Sequence, residues 1–240
     1  MKKFFIAIAI LVLLTPSAFG EQFYASDFEA DTIGKFPQGW ELGFEGSGEP
    51  QVIQDPLDKN NKVFAHTDLA MDLARHDVGG SIAVVSDSDV SDYMVDYDAY
   101  FPADFYIGTL FRFIDAESFY LFDRRQGGPT FDFWMRGGGN WTNFKSGIPY
   151  PAVPEEWFSF RLVIKGDTFE AYAKEKDDDT PFADMDPLME GTEASYETGK
   201  FGLYGLIYVD NVIIGETEGD MSISVESAGK LTSTWGNIKK

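Results

Sequence analysis

From Tyr93 to Phe101 the chain alternates. Tyr93, Val95, Tyr97, Ala99 and Phe101 fall on one side, and Met94, Asp96, Asp98 and Tyr100 on the other. A period of two is the mark of a half-buried strand in an antiparallel sheet. Residues 22–28 predict a first strand anchored by Phe23 and Phe28, and Trp40–Phe44 a short one with Trp40, Leu42 and Phe44 on one face. Gln51–Gln54 and residues 62–66 flank a turn at 55–61, and 81–85 follow. Residues 105–114, 118–125, 130–136 and 141–145 come at short spacing, divided by turn-forming stretches at 115–117, 126–129 and 137–140. Trp157–Lys165 and residues 168–174 predict a hairpin closed by Gly166-Asp167, and 175–198 reads as a long polar loop.

Residues 199–215 read as two strands at a glycine-marked bend, with Phe201, Leu203, Leu206, Tyr208, Val209, Val212 and Ile214 suited to a half-buried sheet. Asp210 and Asn211 interrupt that apolar run, which is costly inside a sheet unless something binds them. Helical spacing occurs only at Leu69, Leu73 and His76 and at Leu231, Trp235 and Ile238. About a dozen strands, no helix of normal length and no internal repeat predict an all-β, two-sheet antiparallel jelly-roll sandwich over residues 21–216, with 217–240 a polar tail.

The first twenty residues are expected to be a signal peptide. Lys2 and Lys3 precede an apolar run from Phe4 to Leu14, and Ala18 and Gly20 offer small residues at a cleavage point. The run is too short to span a bilayer. The mature chain, 21–240, is therefore expected outside the cytoplasm: periplasmic, cell-surface or extracellular, with no membrane span of its own. It has no cysteine, which excludes disulfides and thiol chemistry.

The formal charge of the whole chain is −21, and removal of Lys2 and Lys3 makes it −23. Such a surface repels nucleic acid and anionic lipid and favours divalent cations. Aromatic residues make up 16% of the chain, more than a surface alone would hold, so many must form the core.

The succession Ser26-Asp27-Phe28-Glu29, Pro37-Gln38-Gly39-Trp40, the stretch from Gly108 to Phe113, Ser118 to Phe122, Glu156 to Gly166 and residues 199–214 resembles the concanavalin A-like lectin/glucanase superfamily. Within it the chain is most similar to exported bacterial domains related to laminin-G-like and 3-keto-disaccharide hydrolase domains. The resemblance implies the jelly roll, a glycan partner and, in several such families, a structural calcium ion joining the first strand to the last. Here that ion would fall to Asp27 and Asp210. Retaining glucanases of this fold carry Glu-x-Asp-x-(x)-Glu on one strand; Glu29-Ala30-Asp31 lacks the second glutamate and stands in a turn, which argues against that activity.

A sugar site needs an aromatic face for the ring and polar groups for its hydroxyls. Arg112, Tyr120, Arg124, Asp132, Trp134, Arg136 and Trp141 come from consecutive predicted strands and are expected to line one concave face. Asp132, Trp134 and Arg136 share a parity opposite to Phe131, Phe133 and Met135. A carbohydrate-binding or surface-interaction module without catalysis is the leading expectation. The alternative is a glycoside-active enzyme using carboxylates such as Asp132. The oligomeric state is open.

Overall fold

The computed structural model describes residues 20–66, 71–72, 77–104, 107–125 and 130–223. The expected signal peptide, the turn at 126–129 and the helical spacing at 231–238 lie outside them. The expected helical stretch at 67–77 lies partly outside; where it is described, β5 (Met71–Asp72) pairs antiparallel with β6 (Asp77–Val78) instead.

The described chain is a sandwich of two antiparallel sheets. One has the order β15 (Met189–Thr192), β14 (Thr168–Glu175), β13 (Trp157–Lys165), β8 (Tyr93–Tyr100), β17 (Tyr208–Gly215), β4 (Lys62–Ala65), β3 (Gln51–Gln54), and β1 (Gln22–Ser26) also pairs with β17, making eight strands. The other has the order β12 (Asn140–Pro149), β11 (Thr130–Gly137), β10 (Ser118–Arg124), β9 (Ile107–Asp115), β16 (Lys200–Tyr204), β7 (Ile82–Val85), β2 (Trp40–Phe44), making seven. The expected all-β jelly-roll class is therefore the observed one. The bend at Gly205 carries the chain from β16 in one sheet to β17 in the other.

The pleat accounts for the layers. Inward positions of both sheets meet in an aromatic core: Phe111 packs on Phe169 at 4.9 Å, Phe131 on Phe160 at 5.5 Å, Trp40 on Phe64 at 4.8 Å and Tyr97 on Phe201 at 5.8 Å between ring centroids. Such pairs add about 0.5–1.5 kcal/mol each beyond the area they bury. Tyr97 also meets Thr109 hydroxyl to hydroxyl at 3.0 Å, so the buried phenol has a partner. A second apolar cluster belongs to the seven-stranded sheet alone: Ile82, Val84, Leu110, Phe113, Phe119, Leu121 and Tyr204 form its outer face, flanked by Phe44, Trp134 and Trp141.

Three local departures from the expected pattern have physical causes. Trp40 enters the inter-sheet core, Leu42 is 49% exposed and Phe44 joins the outer cluster, because the β2–β7 register shifts between Leu42 and Phe44. The expected polar loop 175–198 contains a 3-10 turn at Phe182–Asp184 and the edge strand β15. Residues 217–222 are tied to the sandwich: the Gln22 amide donates to the Asp220 and Ser222 carbonyls at 2.6 and 2.8 Å, and Glu218 pairs with Arg161.

Arg112 ties the sheets together. It stands on β9 at φ 48 and is almost fully buried. Its guanidinium donates to the carbonyls of Tyr196 at 2.7 Å, Ser91 at 2.9 Å and Gly166, in the β13–β14 turn of the opposite sheet, at 2.7 Å. Arg112→Met leaves those three carbonyls without their donor and is expected to cost at least about 3 kcal/mol in urea unfolding, since each buried orphan costs about 1–3 kcal/mol.

Asp123 has the opposite character. It lies directly across the β10–β11 pair from Asp132, is buried, and its Oδ1 has no hydrogen-bond partner. Burial, then the Asp132 charge, hold its carboxyl well above the usual carboxylate range. A carboxyl whose folded pKa is raised costs nothing below its unfolded value, and its penalty grows as pH rises past that value. Asp123→Asn is expected to raise stability at neutral pH by about 1–3 kcal/mol and to lose the gain below about pH 4, read from melting curves across pH.

Candidate functional site

The seven residues expected to line one concave face do not share one. Tyr120 points into the inter-sheet core, 0% exposed, with its hydroxyl accepting the Tyr196 N–H at 2.9 Å. Arg112 is the inter-sheet tie. Arg124 is buried against Phe101 and donates to the Ala152 carbonyl and to Asp104, both at 2.7 Å. Asp132, Trp134 and Arg136 do lie on the outer side of β11, as their parity requires. Asp132 is fully buried there, accepting from Arg125 Nε at 2.8 Å and the Gly147 N–H at 2.7 Å. Arg136 is buried beneath Trp141, 5.0 Å from its ring centroid, and donates to the Ala116 carbonyl. Trp134 and Trp141 are half-buried, meeting edge to face at 6.4 Å beside the outer apolar cluster. Alternate positions that look polar in the sequence are filled by guanidinium and carboxylate groups that bond to carbonyls and side chains of the protein itself.

A hollow of about 410 Å³ lies over Glu41, Leu42, Phe113 and Lys200 of the seven-stranded sheet, and a larger concavity lies on the opposite sheet. A hollow of about 560 Å³ is lined by Trp157, Asp55, Asn61, Lys176, Asp210 and Asn211, with Asp27, Glu29 and Asp58 also on its wall. This size falls within the range of small-molecule sites. A second hollow of about 280 Å³ shares Asn211 with it and continues over Asp98, Ser159, Arg161 and Phe182. Both lie on the outer face of the eight-stranded sheet and meet at Asn211, a polar groove floored by β8, β13 and β17.

The floor follows from the pleat of β8, β13 and β17. Asp96, Asp98 and Tyr100 project outward from β8, Trp157, Ser159 and Arg161 from β13, and Tyr208 and Asp210 from β17. In register, Trp157, Tyr100 and Tyr208 stand side by side, with centroids 5.5 Å apart in each pair. A bulge at Asn211, φ 50, shifts the β17–β8 register and turns its amide toward Asp98, to which it donates at 2.8 Å. Asp98 also accepts from the Ser159 hydroxyl at 2.6 Å. Asn61 bridges the Asp55 and Asp210 carboxylates at 3.1 and 3.0 Å, and the Trp157 indole donates to Asp55 at 3.3 Å.

The interrupting Asp210-Asn211 pair is thus met by Asn61, Lys176 and Asp98. Burial pushes the Asp210 carboxyl up to about 6, against the lowering pull of Asn61. Asp27 lines the same hollow, so the two residues expected to hold calcium do come to one place, though Asp27 Oδ1 accepts the Glu29 N–H of its own turn. No group of three or more acidic or histidine side chains converges as a metal site among the described residues. Around Asp210 stand an amide donor, a backbone N–H and the Lys176 ammonium, where a calcium ion collects oxygens; an ion at Asp210 would have to displace them.

Sequence reasoning missed Trp157, Lys176, Asn61 and Asp55 as members of a site. The alternation of β8 already placed Asp96, Asp98 and Tyr100 together on the outward side. Nothing local revealed that the turn at 55–61 and the stretch after β14 rise beside that face.

No protein-family model matches the chain, and no curated protein matches it in sequence. Solved structures do match it in shape. The carbohydrate-binding module CBM66 from Bacillus subtilis aligns with a TM-score of 0.51 at 15% identity, over 72% of this chain and 93% of that one. Domain 4 of AbnA, a GH43 extracellular arabinanase from Geobacillus stearothermophilus in complex with arabinotriose, aligns with a TM-score of 0.51 at 12% identity, over 82% and 93%. The GH43 protein BlXynB from Bacillus licheniformis aligns at 0.55 and 10% identity, over 80% of this chain and 39% of that larger one. At these identities the likeness is one of fold: this chain has the β-sandwich architecture of carbohydrate-binding modules.

Proposed function

We propose that the chain is an exported carbohydrate-binding module without catalysis of its own, and that it takes a glycan along the groove of the eight-stranded sheet. The observation that carries this reading is the pair of hollows joined at Asn211, with Trp157 at one end and hydroxyl-binding groups along the floor. An elongated groove suits a chain of sugars. Trp157 supplies apolar surface, and Asp98, Ser159, Asn61 and Asn211 supply donors and acceptors for ring hydroxyls. The expected export adds a setting in which polysaccharide is met.

The enzymatic alternative through Asp132 has less to support it. That carboxylate is sealed under Arg125 and the β12 backbone, with both oxygens in use. A group so held has no route to a leaving-group oxygen.

Screening the full chain against a panel of polysaccharides by affinity electrophoresis tests the proposal. At least one neutral glycan is expected to retard the protein, and Trp157→Ala to weaken that binding by about tenfold or more, the loss of roughly 1.4 kcal/mol. Trp134→Ala, on the other sheet, is expected to leave it unchanged. Retention that survives Trp157→Ala, or no retention by any glycan, overturns the reading.

A further inference from the structure

The groove already holds a cation. Lys176 Nζ stands 3.2 Å from Asp98 Oδ2 and 3.8 Å from Asp210 Oδ2, and 4.6 Å over the Trp157 ring. Two carboxylates and an indole face are the parts of an ammonium cage, since carboxylates supply charge and the ring its negative face. The lysine is about one-third exposed and comes from the segment after β14, outside the sheet that forms the cage. Its ammonium is the chain's own occupant of a position open to the larger hollow.

The surrounding charge points the same way. Asp27, Glu29, Asp55, Asp58 and Asp210 line that hollow, and among the described residues Lys176 is the one cation on its wall. The chain as a whole carries −21. A concave surface of one sign concentrates ligands of the other and repels its own. A uronic acid or sulfated sugar would bring a carboxylate or sulfate among five carboxylates. A sugar with a free amine would bring an ammonium to groups that already bind one. Like-charge approach costs more than a neutral contact gains, so charge decides among ligands that all stack on Trp157 equally well.

We infer that the hollow beside Trp157 is a subsite for an ammonium-bearing sugar, such as a hexosamine with its amine free, and that Lys176 occupies the ammonium position when no ligand is there. Asp98 and Asp210 are its charge partners and Trp157 its aromatic wall. This rests on the glycan-binding reading above and names the class of sugar that the same site selects.

Calorimetric titration of the full chain with a glucosamine tetramer, its N-acetylated counterpart and a galacturonic acid tetramer tests it. The free-amine tetramer is expected to bind about tenfold tighter than the acetylated one, and the uronate not at all. Raising the salt from about 20 mM to about 500 mM is expected to remove most of that preference, because exposed charge pairs are screened over shorter distances. Lys176→Met is expected to tighten the free-amine tetramer severalfold more than the acetylated one; Asp98→Asn is expected to weaken the free-amine tetramer. If Lys176→Met fails to fold, the amine-to-acetyl ratio and its salt dependence on the unaltered chain decide. Equal or tighter binding of the acetylated tetramer, loss of all binding in Lys176→Met, or binding of the uronate overturns the inference while leaving glycan binding standing. If none of the three binds and the polysaccharide panel is also negative, both readings fall.

Discussion

The two-residue period of a strand, applied to a sheet with an aromatic inner face, is the constraint on which this molecule depends. Phe111, Phe122, Phe131, Phe160, Phe169 and Tyr97 turn inward from both sheets and bury each other. Every intervening residue must then face outward. The two sheets meet that requirement differently. The eight-stranded sheet turns out Asp96, Asp98, Ser159, Arg161 and Asp210, and so presents a polar groove. The seven-stranded sheet turns out Leu110, Phe119, Leu121 and Tyr204, and so presents a second apolar layer.

A polar floor is costly unless its groups are satisfied, and here they satisfy one another. Asp55, Asn61, Asp210, Asn211, Asp98 and Ser159 form a connected chain of donors and acceptors. That chain fixes the side chains before any ligand arrives, which lowers the ordering cost of binding. It also explains why the β17 bulge at Asn211 is kept despite its positive φ. Without it, the ladder would continue and the amide would not reach Asp98. The strain of one residue, of order 1–3 kcal/mol, is offset by the hydrogen bond it makes possible.

Much of the fold was legible from sequence because periodicity reports burial directly. The β8 alternation, the β13–β14 hairpin with Gly166 at φ 54, and the crossing at residues 199–215 all follow from local pattern. The edge strand β15 was not legible, since Met189 and Gly191 are the only inward positions among polar neighbours. The site was legible only in part. Asp210 and Asn211 stood out because a polar pair inside an apolar run demands a partner. Their partners, Asn61 and Lys176, come from a turn and a post-strand segment whose distance in sequence hides their proximity in space.

The arginines show why a polar residue between aromatics is a poor guide to a surface. Arg112, Arg124 and Arg136 come from consecutive strands rich in aromatic residues, the pattern expected of a sugar-binding face. A guanidinium has five donors in a fixed plane, and a sandwich has many backbone carbonyls at its turns that no strand partner reaches. Arg112 satisfies three of them and stacks over Phe169 at 5.3 Å. Burial of such a group stabilises through carbonyls rather than through a carboxylate, since Asp92 is 3.8 Å away and exposed. Lysine lacks the geometry for this and keeps its charge near solvent, where it needs a counter-ion. The cation beside the larger hollow is accordingly Lys176, held by Asp98 and Asp210. Arg112, Arg124 and Arg136 thus brace the sandwich from within, while Lys176 stands where a ligand's charge can replace it.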